Sequence, residues 1–516
     1  MYSKEKMIKI DGNHLTIENI IDVGRRNYSV ELAEEARSSI IRSHEWVEEI
    51  VAANKPVYGI NTGFGFFADQ QIPKVDASTL SRNLILSHAV CTGPALAKEI
   101  VRAAILVRAN TLAKGYSGVR PEIVDTLLLI LNKDLIPIIP SQGSLGSSGD
   151  LGPLSHLALV FTTDEADRSE DSGWAEYKNE IMPGKKAMEL AGLNRLRLGP
   201  KEGLALNNGA TFSAAIAALA LFDAQQLLNT AETTLALSLE AMLGSSEAFD
   251  LRLHNARGQA GQIIVAKRIR QLIKGSTFIN KSGRVQDAYS LRCAPQVQGA
   301  ARDTTAFVNQ IIKKEINAAT DNPLLFDKNE AVSGGNFHGE PIGMAMDFLS
   351  IAMAEVGAIS ERRIFRLIDS KLNGNLPPML VDNLQTAGLN SGMMMPQYTA
   401  ASLALENQNL AVPDTIHSLP TSGEQEDHNA NSMTAARHTR QLLENVTHIL
   451  AIEAYTAVRA LDLRFRQMPG LQMGIGTQRA YNQIRGVVAY QPGDAWWGPE
   501  IEKVHDLIRC GKLSEI

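Results

Sequence analysis

Two serines followed by a glycine, Ser147-Ser148-Gly149, sit in a Gly- and Ser-rich run from Gly143 to His156 (Gly-Ser-Leu-Gly-Ser-Ser-Gly-Asp-Leu-Gly-Pro-Leu-Ser-His). A nucleophilic serine on a sharp turn needs a glycine two residues after it, and Ser148 is followed directly by Gly149 and Asp150, so that reading fails. A phosphate-cradling loop needs a Gly-Lys-Ser/Thr ending, which is absent. A plain turn, capped by Asp150 into a helix starting near Pro153, is the structural alternative. The remaining chemistry is covalent. The amide nitrogen of Gly149 can attack the carbonyl carbon of Ser147 where a strained turn holds them together, and glycine lets the backbone bend that closely. Loss of one water closes a five-membered ring. Loss of a second, from Ser148, leaves an exocyclic methylene. The product, 4-methylideneimidazol-5-one (MIO), is an electrophile made from the chain itself, and it replaces an external cofactor.

The segment resembles the signature of the aromatic amino acid lyase family, which includes histidine, phenylalanine and tyrosine ammonia-lyases and related aminomutases. The resemblance extends from Tyr58 to His428. Tyr58 to Gly65 (Tyr-Gly-Ile-Asn-Thr-Gly-Phe-Gly) is similar to the family's mobile inner loop, whose tyrosine is a base. Glu202 to Gly209 is similar to the segment whose asparagine, here Asn208, contacts the ring and the substrate. Val285 to Gln296 carries over Gln286, Tyr289, Arg292 and Gln296. Thr320 to Pro323 and Gly334 to Glu340, with Phe337, follow in the expected order. The chain departs from the family pattern at Ser147 (usually Ala), Gly152, Asn207, Ala210, Thr211 and Gln408. Ser147 lends only its carbonyl to the ring, so cyclisation is expected to survive with a hydroxymethyl in place of a methyl.

Ser87-His88 and Glu406 bear on the substrate. Phenylalanine-selective relatives carry a pair like Phe-Leu at the first position and tyrosine-selective ones His-Leu; Ser-His resembles the histidine enzymes. An imidazole substrate needs polar partners in a pocket, and an unpaired buried nitrogen costs roughly 1–3 kcal/mol. Glu406, in Leu-Glu-Asn-Gln, resembles a glutamate of the histidine lyases, and a carboxylate facing an imidazole can hold it or move a proton. Ser418 to His428 is also similar to those enzymes. The resemblance implies deamination of L-histidine to trans-urocanate and ammonia. Tyr58 is then the base, Arg292 the carboxylate clamp, and His88 with Glu406 the imidazole holders. Tyr289 joins the catalytic set, and the site is shared between chains of a homotetramer. A histidine 2,3-aminomutase using the same elimination, and a scaffold whose ring never closes, are the other functions the residues allow.

The elements that must position these residues are mostly helical. Ala210–Leu243 and Asn431–Met468 contain neither Gly nor Pro, and Met344–Leu372 contains only Gly357. Such lengths far exceed the average helix and pack as a bundle. The first ~200 residues alternate helical stretches, such as Val30–Ala53 and Glu99–Leu112, with Gly/Pro-rich loops. The expected fold is mainly α: a loop-rich N-terminal domain carrying the prosthetic group (1–203), a long central bundle (204–480) and a C-terminal tail (481–516). The resemblance makes it fumarase/aspartase-like. The tail carries Trp496-Trp497, to which the sequence assigns no role.

Composition narrows the rest. The chain has 516 residues; 50 Lys+Arg against 56 Asp+Glu leave a formal charge of −6, with no basic footprint for nucleic acid or anionic lipid. Its three cysteines, Cys91, Cys293 and Cys510, are too scattered for a disulfide framework or a zinc site, so no metal is expected and a reducing compartment fits. The start, Met1 to Asp11, lacks the apolar run of a signal peptide. The longest purely apolar stretch in the Ala-rich region, Ala214–Phe222, is shorter than the ~18–20 residues that span a bilayer. A soluble, cytoplasmic enzyme is expected.

Overall fold

Segments free of helix breakers become helices along nearly their whole length. The computed structural model describes residues 7–54 and 56–516, with Phe66 described by its backbone; residues 1–6 of the leading segment lie outside them. The three long segments form the helices Thr211–Ala241, Glu340–Ile368 and Ser432–Gln467. A fourth, Ala294–Glu315, is masked in the sequence by Pro295 and Gly299. Pro295 falls in the first turn, where its missing N–H is tolerated. At Gly299 a Cβ would stand 2.4 Å from the amide nitrogen of Gln262, so only glycine fits.

The stretch expected as helix from Val30 starts instead as a strand. Ser29–Leu32 pairs in parallel with Met7–Ile10, and the helix is Glu34–Ala53. The buried Ile8, Ile10 and Val30 sit at the alternating positions a strand requires. The expected helix Glu99–Leu112 is Lys98–Ala113.

By packing, the chain divides into two compact units. The first takes the chain as far as Ala220, with Asn309–Asp347 and Pro413–Arg437; the second takes Leu221–Val308, Phe348–Val412 and His438–Ile516. This differs from the consecutive division 1–203, 204–480 and 481–516, because the boundary cuts the four long helices within their length.

In the first unit, the helices Ala77–His88, Leu151–Phe161 and Glu202–Asn207 pack on one another. Lys98–Ala113 is buried almost throughout, including Arg108 and Asn110. The fully buried Lys201 and Asp321 form an ion pair, and Ser117 Oγ donates to the same carboxylate.

In the second unit, the polar residues of the long helices find partners. The buried carboxylate of Glu453 accepts from Thr234, Ser238 and Ser360 and pairs with Arg363. Glu232 pairs with Arg302 and Arg268 at 2.6 and 2.9 Å. Two helices, Thr211–Ala241 and Glu340–Ile368, are long and apolar enough to cross a membrane by length and composition, beyond what the apolar stretch Ala214–Phe222 suggests. In the first of them 78% of the apolar window is buried by the chain itself. The tail forms the helix Trp497–Arg509; Trp497 packs against Tyr455 and Arg459, whereas Trp496 is exposed.

Candidate active site

The Ser147-Ser148-Gly149 turn joins the strand Pro140–Gln142 to the helix Leu151–Phe161. Gly149 has φ +77°, and a Cβ there would lie 2.0 Å from the carbonyl carbon of Gly209. The two glycine backbones pair directly: Asp150 N donates to Gly209 O at 2.9 Å and Gly209 N to Ser148 O at 3.1 Å. Asp150 occupies the N-cap position, yet its side chain does not cap the helix, which begins at Leu151 rather than near Pro153. Its buried carboxylate instead accepts from Ser144 Oγ (2.8 Å), Ser213 N (2.8 Å) and Ser213 Oγ (2.9 Å). That fastens the loop to the first turn of Thr211–Ala241. Burial pushes the Asp150 carboxyl above the usual carboxylate range, against the pull of those hydrogen bonds.

The carbonyl oxygen of Ser148 also accepts from Asn208 Nδ2 at 2.8 Å. Asn208 is held from behind by the fully buried Arg108, which donates to its carbonyl. Asn208 Oδ1 is buried without a partner. Ser148 Oγ donates to Glu426 Oε1 at 2.8 Å, and Asn429 donates to Ser147 Oγ. Asn429 thus gives the unusual hydroxyl of Ser147 a partner. The unusual Gly152 also has a cause, since a Cβ there would stand 2.5 Å from Cys91 Sγ. Asn207 Nδ2 donates to Ser155 Oγ at 3.2 Å, on the side of the core.

Ser148 opens into a cavity of about 680 Å³ whose walls include Tyr58, Ser87, His88, Asn208, Phe337 and Glu426. Burial raises the Tyr58 hydroxyl's pKa and Glu426 adds to the rise, while a backbone contact with Gly65 opposes it. Burial lowers that of His88, against a backbone contact with Leu84 and the Glu426 charge, which raise it. Ser87 Oγ donates to Leu84 O and lies 2.9 Å from His88 Nδ1. Ser87 Oγ and His88 Nδ1 share one hydrogen bond, whose direction follows the ring tautomer.

The first unit therefore brings Tyr58, Ser87, His88, Ser147, Ser148, Gly149, Asn208 and Phe337 together. Gln286, Tyr289, Arg292, Gln296 and Glu406 belong to the second unit. There Tyr289 is 70% exposed with the Arg292 guanidinium 4.7 Å from its ring centroid, while Arg292 Nε and Gln296 Oε1 have no hydrogen-bond partner. Glu406 accepts from Asn445 Nδ2 at 2.8 Å in the second unit, and the carboxylate beside Ser148 within the first unit is Glu426. Glu426 lies within the Ser418–His428 block, where its residue type was the available signal. Asn429 and Arg108 carried none.

A model of the family described as aromatic amino acid lyase matches residues 15–486. The chain belongs to the aromatic amino acid lyase family. It is 46% identical over 514 residues to a histidine ammonia-lyase of Caldanaerobacter subterraneus subsp. tengcongensis, covering 99% of this chain and 98% of the relative. Among solved structures it resembles histidine ammonia-lyase from Trypanosoma cruzi (36% identity, TM-score 0.89, 99% and 94% of the two chains). It also resembles tyrosine aminomutase from Streptomyces globisporus (34% identity, TM-score 0.91, 99% and 98%). In this lyase the unusual Ser147 and Gly152 are matched by their neighbours, Asn429 and Cys91, so both departures are locally compensated.

Proposed function

We propose that this chain deaminates L-histidine to trans-urocanate and ammonia, using an MIO group closed from Ser147, Ser148 and Gly149. One observation carries the reading: His88 and Glu426 share a single pocket with Ser148. The local chain fits the ring. Gly149 has room for backbone alone, and the oxygen that would become the ring carbonyl already has two donors, Asn208 Nδ2 and Gly209 N. When closed, the ring supplies an electrophilic carbon that eases the departure of ammonia.

The residues of the chain supply the rest. Donors aimed at Ser148 O favour negative charge on that oxygen, in a site where burial strengthens them. Asn208 Oδ1 is free to accept from the substrate amine. Tyr58, when ionised, takes the β-proton. With the substrate ring as imidazolium, His88 Nε2 accepts from one of its N–H groups and Glu426 accepts from the other. Arg292 grips the carboxylate bidentately and fixes orientation. Arg292, Tyr289, Gln286, Gln296 and Glu406 reach the site from other subunits of a homotetramer, a reading supported by the exposure and missing partners of the Gln286–Gln296 segment. The assembly is soluble and cytoplasmic, with a small-molecule substrate and neither nucleic acid nor membrane as partner.

The test is intact mass followed by chromatography of a histidine digest. The expected results are a chain lighter by two waters and release of urocanate with ammonia. Accumulation of β-histidine would make it an aminomutase, and an unshifted mass would remove the prosthetic group.

A further inference from the structure

The helices Ser432–Gln467 and Trp497–Arg509 bring two histidines and two glutamates together inside the second unit. Glu444 and His448 are four residues apart on one helix, and Glu502 and His505 three apart on the other, so each pair shares a face. One ligand-type atom each from Glu444, His448 and His505 lies within 4.8 Å of the other two. His505 Nε2 is 2.9 Å from Glu444 Oε1, and His448 Nε2 is 3.3 Å from Glu502 Oε1. The two imidazoles stack with centroids 4.1 Å apart.

The remaining ring nitrogens decide what these contacts mean. His448 Nδ1 lies 3.0 Å from the carbonyl oxygen of Glu444, which only accepts, so Nδ1 carries the hydrogen. His505 is 5% exposed; its Nδ1 is buried without a hydrogen bond and faces Asp506 Oδ1 at 3.7 Å. With its proton on Nδ1, His448 turns the Nε2 lone pair toward the Glu502 carboxylate, while His505 Nε2 lies within hydrogen-bond reach of Glu444 Oε1. At His448 a lone pair faces an anion, and a cation held between the two imidazoles and Glu444 satisfies both. Imidazole and carboxylate donors together suit zinc, and a carboxylate behind the distal nitrogen is the usual way a ligating histidine is oriented.

We propose that Glu444, His448 and His505 bind a zinc-class divalent ion, with Glu502 or water in the fourth position. Asp506 orients His505 through Nδ1. The ion clips the C-terminal helix to the long helix and takes no part in deamination.

The test uses full-length, chelator-stripped protein titrated with Zn2+ alone against a competing chromophoric chelator, with thermal unfolding followed in parallel. One ion per chain and a raised Tm are expected. Co2+ in its place is expected to give a tetrahedral d–d spectrum without a thiolate charge-transfer band. His448→Gln, at a part-exposed position, and His505→Asn are each expected to weaken binding by more than the roughly 10–100-fold that loss of an orienting partner costs; Asp506→Asn is expected to stay within that range. Histidine deamination should be equal in stripped and loaded protein. Should His505→Asn fail to fold, His448→Gln and Asp506→Asn decide alone. Absence of binding, binding indifferent to His448→Gln, or a thiolate band in the cobalt spectrum would each overturn the site and leave a cluster held by protons.

Discussion

Asn208 Nδ2 donates to the carbonyl oxygen of Ser148 at 2.8 Å, beside a second donor, the amide nitrogen of Gly209, at 3.1 Å. Two donors on one oxygen are suited to developing negative charge there. Asn208→Ala removes one of them. The expected loss in kcat is about 10²–10³-fold, the range seen when one such donor is deleted. Intact mass must be measured alongside; a variant that closes its ring normally and turns over at the wild-type rate would show that this contact is only structural.

Ser148→Ala keeps the turn but deletes the hydroxyl whose loss makes the methylene. The protein should fold, lack the full two-water mass deficit, and lose several orders of magnitude in activity. Near-normal turnover would remove the prosthetic group from the reaction.

Replacing Ser87-His88 by Phe-Leu should leave the ring intact while taking polar partners from the substrate imidazole. Each unpaired buried nitrogen costs about 1–3 kcal/mol, so kcat/KM for histidine should fall about 10- to 100-fold. Phenylalanine, whose ring needs no polar partner, should be admitted. Kinetics with histidine, phenylalanine and tyrosine check this; unchanged histidine turnover in the double variant would sink the substrate assignment and spare the lyase.

Glu426 and Glu406 can be separated by pH. Burial and the Glu426 charge both raise the Tyr58 pKa above its ordinary value near 10, so the ionised base forms only on the alkaline side and activity should rise with pH there. Glu426→Gln removes one of the raising influences. The ascending limb of kcat/KM should move to lower pH, with kcat reduced more than binding. Glu406→Gln, whose partner is Asn445, should leave that limb where it is. A limb that shifts only in Glu406→Gln would exchange their roles.

Gly152 and Cys91 form a coupled pair, since a Cβ at Gly152 would stand 2.5 Å from Cys91 Sγ. Gly152→Ala should destabilise by roughly 1–3 kcal/mol through overpacking. Adding Cys91→Ala should restore most of it, a coupling readable as Tm in a double-mutant cycle. Additive effects would mean the clash is not what keeps glycine there.

The sequence by itself determined the long helices, because runs without Gly or Pro at Ala210–Leu243 and Asn431–Met468, and with Gly357 alone in Met344–Leu372, leave the backbone no cheaper way to satisfy its hydrogen bonds. It also determined the Ser147-Ser148-Gly149 tripeptide as the candidate for cyclisation, because that chemistry depends on the order of three adjacent residues. Only the tertiary structure decided which carboxylate meets Ser148 within the chain. Glu406 and Glu426 look equally eligible along the chain, and nothing local says that one will meet Asn445 and the other Ser148. Nor does the chain order reveal that Asp150 ties its loop to Ser213 instead of capping its own helix, or that Arg108 braces Asn208 from 100 residues away. The strand at Ser29–Leu32 is of the same kind, formed because Met7–Ile10 lies beside it. Local propensity writes periods and breaks into the sequence, whereas a partner far along the chain is chosen by packing, which no window of residues contains.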